Sequence, residues 1–223
     1  MKWCNLVPAV SMVVLCSVPA LAQDAPKADP AHYKVLFENA TVRVLKIDYA
    51  PGEKSKMHQH PDAIAVPLST AKMKFTLADG KTEERVLAVG DALYTPAVTH
   101  TPENVDKTRM EAILVEFKTK APGTATLPTV RPNMAMKVLA EGPRATAFHM
   151  TADAAFQEPA GSKHDYDQVV ITLTPAKMSL AVDGKPAKTD WARGDVQFIG
   201  RGTPHESKNA TGKPTEFIII GIK

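Results

Sequence analysis

Apolar and polar residues alternate in short runs along this chain rather than recurring at helical spacing. Thr41-Val42-Arg43-Val44 alternates, and Leu45, Ile47 and Tyr49 continue the apolar supply. Ala63-Ile64-Ala65-Val66 and the run from Lys72 to Leu77 have strand length and strand composition. Asp79-Gly80 and Asp183-Gly184 predict tight hairpin turns, because glycine accepts positive φ without a steric cost. Ala112-Ile113-Leu114-Val115 and Phe217-Ile218-Ile219-Ile220 are continuous apolar runs and predict buried strands. Eighteen prolines and twelve glycines break the chain into short pieces, and no long amphipathic helix competes. The pattern predicts an all-β chain of sandwiches or barrels.

That pattern occurs twice. Lys34-Val35-Leu36-Phe37-Glu38 matches Lys137-Val138-Leu139-Ala140-Glu141, and Ala71-Lys72-Met73 matches Ala176-Lys177-Met178. Asp79-Gly80-Lys81 matches Asp183-Gly184-Lys185, Gly90-Asp91 matches Gly194-Asp195, and His100 with Asn104 matches His205 with Asn209. The matches keep one order and nearly one offset, so the unit is domain-sized and tandem rather than a solenoid. The expected division is a signal peptide at 1–22, a leader at 23–33, a first unit at 34–118, a linker at 119–136 and a second unit at 137–223. Ala121-Pro122-Gly123-Thr124, Pro128 and Pro132 give the linker its extended character, and the polar leader is expected to be loosely ordered.

Residues 1–22 have the marks of a secretory signal. Lys2 precedes an apolar run from Leu6 to Val18, and Ala20-Leu21-Ala22 forms a small-x-small cleavage site ahead of Gln23. Cleavage there predicts export, to the periplasm, and a mature chain without a membrane span. Both cysteines, Cys4 and Cys16, lie in that segment, so the mature chain has no disulfide to lean on and must rely on its core. Charge is close to balance, with 27 Lys and Arg against 24 Asp and Glu, and no basic stripe runs along any element. Nucleic acid is therefore not an expected partner.

The chemistry lies in the histidines. Gly52 is followed by His58-Gln59-His60, and Gly90-Asp91 by Pro96, His100 and Asn104. The second half repeats the later motif as Gly194-Asp195, Gly200, Gly202, His205 and Asn209, and carries a single histidine, His164, where the His-x-His pair would recur. Residues two apart on a strand share a face, so His58 and His60 point the same way. With His100 from another strand they make three imidazoles, a set that holds a transition ion and leaves positions open. The asparagines read as side chains that hold nearby backbone rather than as ligands.

These motifs, their order and their duplication resemble the cupins, and the repeat resembles a bicupin: two antiparallel cupin, jelly-roll-like barrels in tandem. The resemblance implies a metal at His58, His60 and His100. No glutamate follows His60 at the family's spacing, where Ile64 and Ala65 stand, so the usual set of three histidines and one glutamate is reduced to three histidines. Some cupin oxygenases work with such a set. The second copy is expected to be degenerate, with His164, Asp167 and His205 as its candidate ligands. The expected cofactor is one divalent transition metal, which the sequence does not choose among iron, manganese, copper, nickel and zinc. The reading is an exported metal-binding bicupin that acts on a small oxygen-bearing or anionic organic substrate by dioxygenase-like or Lewis-acid chemistry. The alternatives are a non-catalytic small-molecule-binding protein and a scaffold whose barrels meet in a homodimer. No carboxylate has the position of a base; Glu53 and Glu103 are only neighbours in sequence.

Overall fold

The computed structural model describes residues 23–119, 125–126 and 130–223. The expected signal peptide and cleavage site, and Ala121–Thr124 and Pro128 of the expected linker, lie outside the described residues. After a short helix, α1 (Ala25–Ala28), the first half forms β1 (Tyr33–Glu38), β2 (Val42–Tyr49), β3 (His58–His60), β4 (Ala63–Pro67), β5 (Ala71–Leu77), β6 (Thr82–Leu87), β7 (Leu93–Thr95), β8 (Val98–Asn104) and β9 (Met110–Phe117). The second half forms β10 (Met134–Glu141), β11 (Ala145–Ala152), β12 (Gln157–Ser162), β13 (Asp167–Thr172), β14 (Ala176–Val182), β15 (Lys185–Pro186), β16 (Asp190–Trp191), β17 (Val196–Ile199), β18 (His205–Asn209) and β19 (Thr215–Ile222). β10 thus begins inside the segment expected to be linker.

The strands pair antiparallel into two sheets per half, in a jelly-roll-like arrangement. The first half has a five-stranded sheet in the order β1-β2-β9-β4-β7 and a four-stranded sheet, β3-β8-β5-β6. The second half has β10-β11-β19-β13-β17 and β12-β18-β14-β15, with β16 also on β14. Both expected hairpins form. Gly80 (φ +84°) turns β5 into β6, while Asp183 (φ +52°) and Gly184 (φ +68°) turn β14 into β15.

The central strands of the five-stranded sheets are buried on both faces. On β9, Met110, Ala112 and Leu114 face the interior of the first half, where they meet Met73 of β5 and Leu87 of β6. Ile113, Val115 and Phe117 face the other way, into a cluster shared with Ile218, Ile220 and Ile222 of β19. Phe217 and Ile219 point back into the second half, against Met150, Met178 and Trp191. Period-two alternation places these side chains, and burial on both sides is why the runs read as continuously apolar.

The edges of the two large sheets meet as well. Phe37 of β1 stacks on Phe198 of β17, with centroids 5.2 Å apart. Across the other seam Gly142 lies against the Tyr94 ring of β7, where a Cβ would run into it. Arg144 donates to the Phe117 carbonyl at 3.1 Å and lies over the Phe117 ring.

The leader is packed, contrary to its expected looseness. Ala25 and Tyr33 are buried, and Gln59 N–H donates to the Gln23 carbonyl at 2.9 Å. Asp24 pairs with Arg43, whose Nε also donates to buried Glu116 at 2.6 Å. Small apolar residues and one ion-pair network thus hold a segment whose composition alone reads as a tail.

Phe117 stands where the shared core, Tyr94 and Arg144 converge. Phe117→Ala should lower stability by about 3–5 kcal/mol, read as an earlier midpoint in urea unfolding. An unchanged midpoint would show that the two halves do not share this core.

Candidate metal centre

In the first half β3 and β8 are paired with His58 opposite His100 and His60 opposite Val98. The His100 centroid lies 5.0 Å from those of both His58 and His60, but the donor atoms of the three do not all lie within 4.8 Å of one another. His58 and His60 are buried. His58 Nδ1 donates to the Lys56 carbonyl at 2.9 Å, and His60 Nδ1 donates to the Pro61 carbonyl at 2.7 Å. A carbonyl partner at Nδ1 leaves the Nε2 lone pair free to bind a metal. His58 Nε2 is buried and has no hydrogen-bond partner. Burial depresses the pKa of all three, and His60 and His58 add to it at His100, which falls to about 3. The trio is neutral at pH 7. His60 and His100 border a cavity of about 320 Å³ with Phe75, Tyr94 and Leu114 on its wall.

The second half gathers its ligands more tightly. Among the described residues, Glu158, His164 and His205 are the one group of three or more ligating side chains whose donor atoms all lie within 4.8 Å of one another. The structure thus brings His164 and His205 together as expected, with centroids 4.8 Å apart. Asp167 does not join them. Its carboxylate accepts the Arg201 N–H at 2.8 Å and closes a turn instead. Glu158 supplies the carboxylate: Oε2 is 3.2 Å from His205 Nε2 and Oε1 is 3.8 Å from His164 Nε2.

Register explains how Glu158 reaches the site. Ser162 of β12 lies opposite His205 of β18, the position that His58 holds opposite His100. The second half therefore has serine in place of the first histidine. Glu158 is opposite Ser207, so four steps along β12 face two along β18. Gly161, at φ +79°, lies in this bulge. A bulge of this kind re-aims side chains beside it. Even spacing between Glu158 and His164 was a signal present in the sequence, but only the bulge brings the two within reach.

His205 Nδ1 donates to the Thr203 carbonyl at 3.0 Å, and its buried Nε2 faces the Glu158 carboxylate at 3.2 Å. Burial lowers the His205 pKa, but the Glu158 carboxylate outweighs it and the net direction is upward. At His164 burial prevails and the net direction is downward. Burial opposes ionisation of Glu158 too, yet His205 and Arg131 hold its pKa below the usual value. Arg131 reaches Glu158 Oε1 at 3.0 Å. The cavity here is larger, about 500 Å³, with Met136, Met150, Trp191 and Phe217 among its apolar walls.

The asparagines hold backbone, as expected. Asn104 Nδ2 donates to the carbonyls of Tyr49, Ala50 and Thr108, and Asn209 Nδ2 to those of Ala152, Asp153 and Lys213. The two halves therefore share their scaffold and differ in their ligands.

No family model matches the chain, and no curated protein matches it in sequence. Solved structures do match in fold. AerE from Microcystis aeruginosa is 14% identical, with a TM-score of 0.65 over 86% of this chain and 97% of its own. A cupin 2 conserved barrel domain protein from Leptotrichia buccalis is 15% identical, with a TM-score of 0.57 over 86% and 88%. Salicylate 1,2-dioxygenase from Pseudaminobacter salicylatoxidans is 11% identical, with a TM-score of 0.66 over 88% and 77%. The chain has the cupin fold.

Protonation of the first trio should be visible in stability. Each folded-state pKa lies below the unfolded value near 6.5, so the unfolded chain binds more protons as pH falls. Stability from the neutral trio is complete above pH 6.5 and is lost progressively as pH drops towards about 3. In chelator, His100→Gln should show a shallower loss than the wild type across that window. Parallel curves of unfolding free energy against pH would refute the assignment.

Proposed function

We propose that this protein is a metal-dependent cupin that binds a small oxygen-bearing or anionic organic compound and acts on it by dioxygenase-like or Lewis-acid chemistry. The observation that carries this reading is the set of Glu158, His164 and His205 on the wall of the larger cavity. The donor set fits a divalent transition ion. Neighbouring ligands around an ion with bonds of about 2.1 Å stand roughly 3.0–3.4 Å apart, and Glu158 and His205 stand at 3.2 Å. His205 Nε2 is buried and faces the Glu158 carboxylate at 3.2 Å, and an ion bound between the two would replace that contact. Such an ion would supply Lewis acidity and, for iron, manganese or copper, redox chemistry.

The chain's own residues do the rest. The Thr203 carbonyl fixes the His205 tautomer with Nε2 towards Glu158. Arg131 restrains the Glu158 carboxylate, and the apolar walls limit water around it. Dioxygenase-like chemistry draws support from the salicylate 1,2-dioxygenase likeness, which is one of fold.

His58, His60 and His100 form the second candidate centre, favoured by the orphaned Nε2 of His58 and the carbonyl-fixed tautomers. We further infer two cupin units in tandem, 34–118 and 137–223, exported by a signal at 1–22. The matched sheet orders and asparagine clamps support the duplication.

Metal analysis of protein purified from the periplasm of a bacterial host tests the reading. At least one divalent ion per chain is expected. Glu158→Ala and His205→Ala should each weaken its binding by more than the ~10–100-fold typical of outer-shell changes. Loss with His100→Ala, but not with those two, would move the centre to the first half. A chain free of metal in every preparation would favour the non-catalytic binding protein.

A further inference from the structure

Tyr166 is the buried polar group that the metal set leaves unexplained. It is 1% exposed, lies on the wall of the 500 Å³ cavity, and its hydroxyl has no hydrogen-bond partner. Its ring stacks on His164, with centroids 4.9 Å apart and planes 22° from parallel, so the ligand histidine fixes its position. A buried hydroxyl without a partner is costly unless something else satisfies it. Arg131 and Lys163 border the same cavity. The guanidinium uses one nitrogen on Glu158 at 3.0 Å and another on the Ser162 hydroxyl at 3.5 Å, and it carries five N–H donors in all. Glu158 and Asp165 balance the guanidinium and the ammonium in net charge, so the preference for an anion comes from direct charge-assisted donation by Arg131 rather than from an excess of positive charge. The cavity is also lined by apolar, adaptable side chains: Met134, Met136, Met150, Met178, Trp191 and Phe217. Thioethers conform to varied shapes, while the aromatics present flat faces.

We propose that Tyr166 and Arg131 form an anion-binding wall in this cavity, and that its ligand is a monocarboxylic acid with an apolar body. The carboxylate accepts from the Tyr166 hydroxyl and the free Arg131 donors, and the apolar body lies against the methionines and aromatics. This rests on the reading of the second-half cavity as the ligand site, but not on the bound metal.

The test is calorimetric titration of the full chain, metal-loaded and metal-free, with benzoate, phenylacetate and hexanoate, each paired with its neutral amide. The wild type should bind at least one acid, and bind its amide at least tenfold more weakly. Tyr166→Phe should keep its metal content and melting temperature and lose about ten- to hundredfold in affinity for that acid, the loss typical of a hydrogen bond to a charged group. Its affinity for the amide should change little. The inference is overturned if no acid binds, if acid and amide bind alike, or if Tyr166→Phe binds the acid as the wild type does. That last outcome is the one expected where only a water partners the hydroxyl. Absence of metal from the wild type would defeat the metal reading alone, since the metal-free titration still decides the role of Tyr166.

Discussion

Burial of both faces of β9 and β19 is the constraint on which the other features depend. Each strand sends alternate side chains into its own half and the remainder into one core shared by both halves. Two five-stranded sheets are thereby packed back to back, and their edge strands must meet: β1 against β17 and β7 against the turn after β10. Strand edges that would otherwise present unpaired backbone are partly covered by this arrangement. The smaller sheets are left on the outside of the shared core, and they carry the ligand strands β3 and β8 in one half and β12 and β18 in the other. A rigid central layer thus positions two separate sites, each beside its own cavity.

The similar sheet orders of the two halves make the difference between the sites interpretable. Asn104 and Asn209 each clamp three carbonyls at equivalent turns, and His100 and His205 each stand opposite the equivalent residue of the neighbouring strand, His58 and Ser162. Against that common frame, serine stands at the position of His58, and a carboxylate arrives from four residues earlier by way of a bulge. The first half is left with three neutral imidazoles, whose mutual proximity and burial hold them uncharged. The second has two imidazoles and a carboxylate backed by arginine. An ion keeps its full charge among neutral ligands and loses part of it to a carboxylate, so the two sites would attract anions with different strength.

The period-two pattern and the Asp-Gly turns determined the all-β architecture and the hairpins. They suffice because strand alternation and turn chemistry are local properties of the backbone. The proximity of His100 to His58 and His60 follows the same local rule, since residues two apart on a strand share a face. Tertiary structure alone decided the rest. Asp167 and Glu158 are both acidic neighbours of His164 in sequence. Only the register of β12 on β18, with its bulge, turns Glu158 to the histidines and leaves Asp167 closing a turn. The leader gave no sign of order, because its hold comes from Arg43 and Glu116, far along the chain. Nor could the sequence tell that the Tyr166 hydroxyl would be left without a partner. Hydrogen-bond satisfaction depends on which groups the fold brings together, and sequence spacing does not carry that information.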